Sequence, residues 1–332
     1  MVALKSADYL LPQFLSEKES ADAAASVRPP DAWKLIRQLI SSEIASGESK
    51  RAVRLAWWVA RSPIAASRWL NALERTRVRA GVETVPYRLA KKAGQSFLHH
   101  SLPQTATINL LTMHFERILA ALGPRFVSAI FRGKVVVAAE IAGRPGARYR
   151  LCLERAEGNC REGELIVVLV RLDGNKRVAS LTVVLGALRP GETPDLWIGG
   201  LQGCRGADSK AVTVKATKDL WGLRPKDLLI HAAYGLREAL GAANIKAISN
   251  AGHVHQPTRH LEPDWCADYD AFWRELGGEP IAGDFFLLPG ARHRRSVEEV
   301  PLHKRSPWRR RYALVDEIGA DIRRLAIKPR AG

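Results

Sequence analysis

Three neighbouring stretches decide the fold: Asp195–Leu201 reads DLWIGGL, Lys226–Leu240 reads KDLLIHAAYGLREAL, and Ile245–Ser249 reads IKAIS. The first and the third are short, largely apolar runs, which are typical of buried strands. The second carries apolar residues on one face at helical spacing, and Gly241 ends it. A strand, a helix and a second strand in this order predict that the two strands run parallel.

The region before this unit contains further strands. Its β-branched-rich runs are separated by turn-forming clusters that are too short to hold a crossover helix, so we expect an antiparallel meander. After the unit, a short helix and a last strand are predicted at Asp270–Leu276 and Phe285–Leu288. The fold class is therefore α+β, with a mixed sheet and helices on its faces. The predicted meander strands are Val135–Ile141, Tyr149–Glu154, Glu164–Leu172 and Val178–Leu185.

The first 130 residues lack this strand pattern. A basic helix with interleaved tryptophans is predicted at Lys50–Trp69, and another helix at Thr105–Leu122, which Gly123 and Pro124 should end. Trp308 and Tyr312 flank arginines near the C-terminus, and we expect that segment to dock on the sheet. We therefore divide the chain into a flexible segment 1–30, a helical region 31–130, a mixed α+β domain 131–290 and a docked basic segment 291–332.

The charge of the chain points to acidic partners. Its 332 residues include 51 Lys and Arg against 34 Asp and Glu, a formal net charge of +17. This charge exceeds what solubility requires and favours nucleic acid, anionic lipid, an acidic carrier protein or a phosphate-rich cofactor. The charge does not choose among these partners. The 46% hydrophobic content excludes a disordered chain.

The four cysteines form no C-x-x-C pair, so a disulfide framework is not expected. The sequence shows no signal-peptide pattern and no apolar run long enough to span a membrane. These features predict a cytoplasmic protein, with a peripheral position at the inner membrane as the alternative.

Several sequence blocks follow one another in a characteristic order between about residues 105 and 316. They are Glu162–Leu165, Ile198–Gly203, Lys215–Lys218, Gly222–Leu229, Ile248–Asn250 with His253, Asp268–Gly278, Leu288-Pro289 and Lys304–Tyr312. Together these blocks resemble the VirK/YbjX family of bacterial proteins. The resemblance implies a stress- and virulence-associated protein of Gram-negative bacteria, linked to resistance to antimicrobial peptides, and it implies no known reaction.

The order of elements is similar to that of the Gcn5-related N-acetyltransferases. That resemblance implies an acyl-thioester donor between two splayed parallel strands, with its phosphates at a helix N-terminus. Acyl-coenzyme A or the thioester of an acidic acyl carrier protein would serve as donor. In those enzymes the strand leads directly into the phosphate-binding helix, whereas here a further predicted helix, Ser209–Leu220, lies between them. The candidate ligand-binding residues are Gln202, Gly203, Lys215, Lys218, Arg224, Lys226 and Asn250.

Two interpretations of these candidate ligand-binding residues remain open, a binding site and a purely structural role. The glycines equally fit a bulge or close packing, and the lysines equally fit a solvated helix face. His253 follows a strand end and is a candidate base, and Asp270 and Glu275 are a candidate acid/base pair. Asp270 is also suited to cap a helix. These three residues are our candidate catalytic group.

Two further clusters complete the sequence-based candidates. His253, His255, His260 and Cys266 have a spacing that matches no standard structural zinc site, so we predict no metal. Around Trp308 and Tyr312, the basic residues Lys304, Arg305, Arg309, Arg310 and Arg311 fit phosphates of a cofactor or lipid, bases of RNA, or carboxylates of the sheet domain. The leading hypothesis is an acyltransferase-like protein. The alternative is a non-catalytic RNA- or anionic-lipid-binding protein that supports surface virulence factors.

Overall fold

The computed structural model describes residues 9–10, 32–144, 146–158, 160–257 and 268–326. The predicted flexible segment 1–30 therefore lies almost wholly outside the described residues. Before residue 132, apart from a two-residue strand at 9–10, the regular elements that the structure describes are helices, as the sequence pattern predicts. They are α1 (Ala32–Ala45), α2 (Ser49–Arg61), α3 (Pro63–Arg79), α4 (Tyr87–Ala90) and α5 (Gln104–Phe131).

Two helix boundaries differ from the prediction. The basic segment Lys50–Trp69 forms two helices, because Pro63 takes the first position of α3, where its missing N–H costs nothing. Helix α5 does not end at Gly123. Gly123 adopts φ +81° and kinks the chain, after which Pro124 begins a second segment that buries Phe126 and Ile130. The gain from burying this second segment explains why the helix resumes.

A mixed sheet follows, with strand order β1-β2-β3-β4-β5-β6-β7-β9-β8. The sheet and its helices confirm the α+β class. Strands β2 to β6 are mutually antiparallel, whereas β1 pairs parallel with β2, and β6 pairs parallel with β7. The strands are β1 (Tyr9–Leu10), β2 (Val135–Ala142), β3 (Arg148–Arg155), β4 (Leu165–Arg171), β5 (Lys176–Gly186), β6 (Asp195–Gly203), β7 (Ile245–Ile248), β8 (Glu279–Ile281) and β9 (Phe285–Leu287).

Helices connect β6 to β7 and also follow the sheet. Between β6 and β7 lie α6 (Ser209–Asp219) and α7 (Pro225–Ala239), and between β7 and β8 lies α8 (Tyr269–Glu275). The last helix, α9 (Leu302–Arg324), packs on α7 through buried Leu314, Ile318 and Ile322.

One hydrophobic core joins the N-terminal helices to the sheet, since residues of α1–α5 and of β2–β7 belong to a single buried cluster. A buried ion pair also links the two regions. Lys92, between α4 and α5, lies 2.6 Å from the Glu164 carboxylate at the entrance to β4. The N-terminal helices are therefore part of the support of the sheet's polar site.

Candidate functional site

The site begins at an irregularity in β6. In the β5–β6 ladder Thr182 faces Gly200 and Val183 faces Ile198, so Gly199 is the extra residue of a bulge. The last β6–β7 pair is Ile198 with Ala247, and β6 continues to Gly203. We call Gly199–Gly203 the β6 extension, since it runs beyond the last pair with β7.

The two glycines of the β6 extension allow a close approach by the segment before β4. A Cβ on Gly199 would lie 1.9 Å from the backbone carbonyl oxygen of Glu162, and a Cβ on Gly200 would lie 2.0 Å from a carboxylate oxygen of Glu162. No side chain fits at either position without displacing Glu162. The glycine pair therefore has a steric cause, and its effect is to seat a buried carboxylate on β6.

Glu162 contacts two of the predicted site residues. Its Oε1 lies 3.7 Å from His253 Nε2 and accepts a hydrogen bond from the Gln202 side-chain amide at 3.3 Å. His253 Nδ1 accepts the backbone N–H of His255 at 3.2 Å, so a neutral His253 carries its hydrogen on Nε2, toward Glu162. His253 and Glu162 are both buried.

Tyr269 brings a hydroxyl to the same place. Its oxygen accepts the backbone N–H of Leu201 in the β6 extension at 3.3 Å, a long bond. The Tyr269 ring lies 5.4 Å from the His253 ring and stacks on Trp273 at 6.0 Å. We call Glu162, His253, Gln202 and Tyr269 the Glu162 cluster. It combines a carboxylate, an imidazole and a phenol against one strand.

Lys92 and Glu164 fix the segment that carries Glu162. Besides its ion pair with Glu164, the Lys92 ammonium donates to the Gly163 carbonyl at 3.1 Å. The side chains of Lys92 and Glu164 are 2% and 1% exposed. Burial raises the pKa of Glu164, and Lys92 opposes that rise. Because an unpartnered buried charge is costly, this pair holds the Glu162 segment in one position.

The predicted catalytic residues take three separate roles. His253 faces Glu162. The carboxylate of Asp270 accepts the backbone N–H of Asn250 at 2.7 Å, whereas Glu275 pairs with Arg224 at the surface. The proposed capping role belongs to Asp268 and not to Asp270. Asp268 precedes α8 in an extended conformation and accepts the Ala271 N–H at 3.1 Å.

The Asn250 side chain is also committed to this turn. It donates to Asp268 at 2.8 Å and accepts the Tyr269 N–H at 3.0 Å. Asn250 therefore positions the start of α8, and with it the hydroxyl of Tyr269.

The predicted phosphate-binding residues differ in their availability. Arg224 lies 2.7 Å from Asp227 and 2.6 Å from Glu275, and hydrogen bonds to these two acids raise its pKa. Lys226 is half-buried near Gly203, and its ammonium lies 6.0 Å from the Phe272 ring centre. Burial, and then the charge of Arg224, lower the pKa of Lys226.

Lys226 is therefore better placed than Arg224 to meet an anion. Among the described residues, no carboxylate lies within ion-pair distance of the Lys226 ammonium. Lys215 and Lys218 are exposed on α6.

The basic residues of α9 also differ in whether they already have partners within the protein. Arg305 donates to the carbonyls of Val300 and Glu298, and Arg311 donates to the Trp221 carbonyl. Arg310 lies over the Trp221 ring at 4.5 Å. These three arginines hold α9 and its preceding loop in place, with carbonyls and an aromatic ring as partners. Arg309 is exposed, whereas Lys304 borders a cavity of about 540 Å³ with Arg295, Trp308 and Tyr312.

No metal centre emerges in the described part of the chain, where no three His, Cys, Asp or Glu residues are grouped to hold one. His260 and Cys266 lie outside the described residues. Among the helices that the structure describes, none is long and apolar enough to cross a membrane.

Two members of the Glu162 cluster escaped the sequence-based list of site residues. Glu162 lies in the family-like block Glu162–Leu165, and Tyr269 lies in the block that begins at Asp268, but neither spacing assigns a role. Their proximity depends on the β5–β6 bulge and on the turn at Asn250. The sequence did contain a signal for Glu162, namely an acid next to a glycine (Glu162-Gly163) together with a glycine pair at Gly199-Gly200 that could let it approach β6.

Comparisons with known proteins agree with the predicted resemblance. A family model described as "Protein of unknown function (DUF535)" matches residues 45–324. The chain is 27% identical over 252 residues to the "Uncharacterized protein YbjX" of Escherichia coli (strain K12), covering 75% of this chain and 76% of that protein. It is 32% identical over 128 residues to an "Uncharacterized protein" of Haemophilus influenzae, covering 38% and 42%. No solved structure matches significantly.

Proposed function

The chain belongs to the DUF535 family, and we propose that it binds an acyl thioester along the β6 extension and transfers the acyl group to a nucleophilic acceptor. The observation that carries the proposal is the Glu162 cluster. Its residues Glu162, His253 and Tyr269 lie together where β6 continues beyond its last pair with β7. A carboxylate and a phenol at one strand edge supply a base and an acid for group transfer.

The backbone of the β6 extension would bind the donor. An extended thioester arm can add to a strand edge by main-chain hydrogen bonds. The Leu201 N–H, now bonded to the Tyr269 hydroxyl at 3.3 Å, would donate to the thioester carbonyl. A backbone donor stabilises the oxyanion that forms during acyl transfer. This exchange would leave the Tyr269 hydroxyl beside the sulfur.

The reaction then needs two proton transfers. The acceptor's amine or hydroxyl attacks the thioester carbon while Glu162 removes its proton. The tetrahedral oxyanion collapses, the C–S bond breaks, and Tyr269 gives its phenolic proton to the leaving thiolate. Glu162 returns its proton to solvent, and Tyr269 takes one back. His253, whose Nε2 lies 3.7 Å from Glu162 Oε1, would orient that carboxylate.

The basic rim would hold the anionic part of the donor. Lys226 lies near Gly203 at the end of the β6 extension, and Lys215 and Lys218 are exposed on α6. Coenzyme A phosphates and the acidic surface of an acyl carrier protein present the same charge to these residues. Arg224 already has two carboxylate partners and would contribute less.

Calorimetry with a non-hydrolysable acyl-coenzyme A thioether and with an acyl carrier protein bearing the same group separates the two donors. We expect one of them to bind, with affinity that falls as salt rises. Lys226→Gln should weaken binding about tenfold, and Arg224→Gln less than threefold. Failure of both donors to bind at low salt would refute the proposal.

Transfer itself is measured as thiol release with hydroxylamine as the acceptor. Glu162→Gln and Tyr269→Phe should keep donor binding and lose about 100-fold in rate. Glu275→Gln is the matched control, because Glu275 faces Arg224 and not the cluster. Equal loss in the control variant would contradict the assignment of Glu162.

A second candidate function is non-catalytic binding of single-stranded RNA at the cavity beside α9. The cavity of about 540 Å³ is bordered by Arg295, Lys304, Trp308 and Tyr312, which combine cations with aromatic rings. Arg295→Gln/Lys304→Gln should weaken the binding of a labelled oligonucleotide in a fluorescence anisotropy titration, whereas Lys210→Gln on α6 should not. If neither variant changes the affinity, this second candidate fails.

A further inference from the structure

The N-terminal helices expose several large apolar side chains, whereas the sheet region buries most of its own. Five of the seven large hydrophobic residues that are clearly exposed in the described part of the chain lie in α1, α2 or the start of α3. Within these helices the most exposed are Val53 at 66%, Trp57 at 63% and Ile64 at 78%. A concentration of this kind marks a surface that meets something other than water.

Helix α2 has two apolar faces. Ala52, Leu55, Trp58 and Val59 are buried and pack into the core. Val53 and Trp57 are one helical turn apart, so they lie together on another face, and Ile64 follows in the first turn of α3. One face is enough to hold the helix on the protein, and the second therefore needs a separate explanation.

Positive charge runs beside the second face. Lys50 and Arg54 are one turn apart, as are Trp57 and Arg61, and the Arg61 guanidinium lies 5.4 Å from the Trp57 ring centre. Residues 32–79, from the start of α1 to the end of α3, contain ten Lys and Arg but three Asp and Glu. Those acids contact Arg51 and Arg77: Glu43 and Glu48 pair with Arg51, and Glu74 pairs with Arg77.

We propose that α2 and the first turn of α3 form a membrane-binding face that docks on a bilayer with anionic headgroups. Val53, Trp57 and Ile64 enter the boundary between headgroups and acyl chains, and Lys50, Arg54 and Arg61 contact lipid phosphates. Helices that lie in the membrane interface combine an apolar stripe containing Trp with Lys and Arg beside it. Each basic side chain near an anionic surface adds to the attraction.

The chemistry of this face favours a bilayer over other occupants. Single-stranded nucleic acid rewards aromatic stacking and cations, but not the aliphatic side chains of Val53 and Ile64. A second copy of the chain would bring Lys50, Arg54 and Arg61 against like charges, which opposes association. A bilayer with anionic headgroups satisfies both the apolar residues and the cations.

Co-sedimentation with vesicles tests the proposal. The full chain should bind vesicles of equal parts phosphatidylglycerol and phosphatidylcholine, bind phosphatidylcholine alone at least about tenfold more weakly, and be released by salt. Val53→Ser/Trp57→Ser/Ile64→Ser should reduce binding about tenfold or more. Val214→Ser/Leu302→Ser is the matched control, since both residues are exposed and lie on other helices. Circular dichroism and thermal melting verify that each variant is folded.

Quenching by brominated lipids gives a second readout. The chain has nine tryptophans, so the quenching that disappears in Trp57→Phe reports Trp57 alone. We expect acyl-chain bromines near the headgroups to quench Trp57. Equal vesicle binding by the apolar-face variant and its control would overturn the proposal. So would a variant that changes the oligomeric state in gel filtration, or the affinity for RNA, while vesicle binding stays the same.

Discussion

Two ion-paired regions of the molecule differ in burial and in consequence. Lys92 and Glu164 are 2% and 1% exposed, whereas Arg224 and Glu275 are 48% and 53% exposed. A buried charge that loses its partner pays a large desolvation cost, but an exposed charge turns to water. The buried pair therefore fixes the segment that carries Glu162, while the exposed pair only neutralises a cation near the N-terminus of α7. Burial, more than distance, decides which ion pair organises this protein.

The largest effect is expected at the buried pair. Lys92→Met should lower the free energy of unfolding by about 3–5 kcal/mol, because Glu164 would stay buried without its cation. Urea denaturation measures this change. Lys92→Met/Glu164→Leu should recover much of the loss, since it removes both charges. A single variant that costs less than about 1 kcal/mol would show that the pair does not hold this region.

A buried histidine, His114, should make the stability of the protein depend on pH. It is buried, its Nδ1 accepts the Leu185 N–H, and burial, followed by the nearby charge of Lys92, lowers its pKa to about 3. The unfolded chain binds a proton near the ordinary histidine pKa of about 6.5. His114 thus contributes stability that is fully present above about pH 6.5 and lost as pH falls toward 3, by up to about 1.4 kcal/mol per pH unit.

Unfolding free energies measured between pH 7 and pH 4.5 should show this loss. Because His231 also has a pKa lowered by burial, to about 4, the comparison must be made with a variant. His114→Gln should reduce the slope of stability against pH. An unchanged slope would show that His114 does not titrate in this way.

The glycines under Glu162 should show an intermediate effect. Gly200→Ala places a Cβ 2.0 Å from the Glu162 carboxylate, and relief of this overlap should cost about 1–3 kcal/mol of stability. Gly290→Ala is the control, because nothing lies within 4 Å of its Cβ position and its φ is not in the left-handed region. Thermal melting of both variants would separate a steric requirement from a general preference for glycine.

The smallest effect is expected at the exposed pair. Arg224→Gln should change the free energy of unfolding by less than about 1 kcal/mol, because Asp227 and Glu275 can be hydrated in its absence. The measurement is the urea midpoint in low and high salt. A loss as large as that of Lys92→Met would show that exposure does not distinguish the two regions.

Much of the fold could be predicted because its signals are local. The runs at Tyr149–Glu154 and Ile245–Ser249 each lie within about one residue of an observed strand, and the helix between β6 and β7 correctly predicts their parallel pairing. The resumption of α5 after Gly123 was missed, because a glycine and a proline stop a helix locally while the burial of Phe126 is a tertiary effect. Likewise, the sequence pattern favours Asp270 as the cap of α8, whereas the structure gives that role to Asp268, two residues earlier.

The sequence by itself determined the α+β class, the order of the elements from β2 to β7, the family and the positive charge. Periodicity and composition carry this information within short windows. Only the tertiary structure decided that His253 faces Glu162 and that Tyr269 reaches β6. It also decided that, among the described residues, Arg224 has two carboxylate partners while Lys226 has none. These contacts join residues from separate elements. Sheet register, a bulge at Gly199 and the burial of Lys92 with Glu164 determine them, and no local pattern encodes those long-range relations.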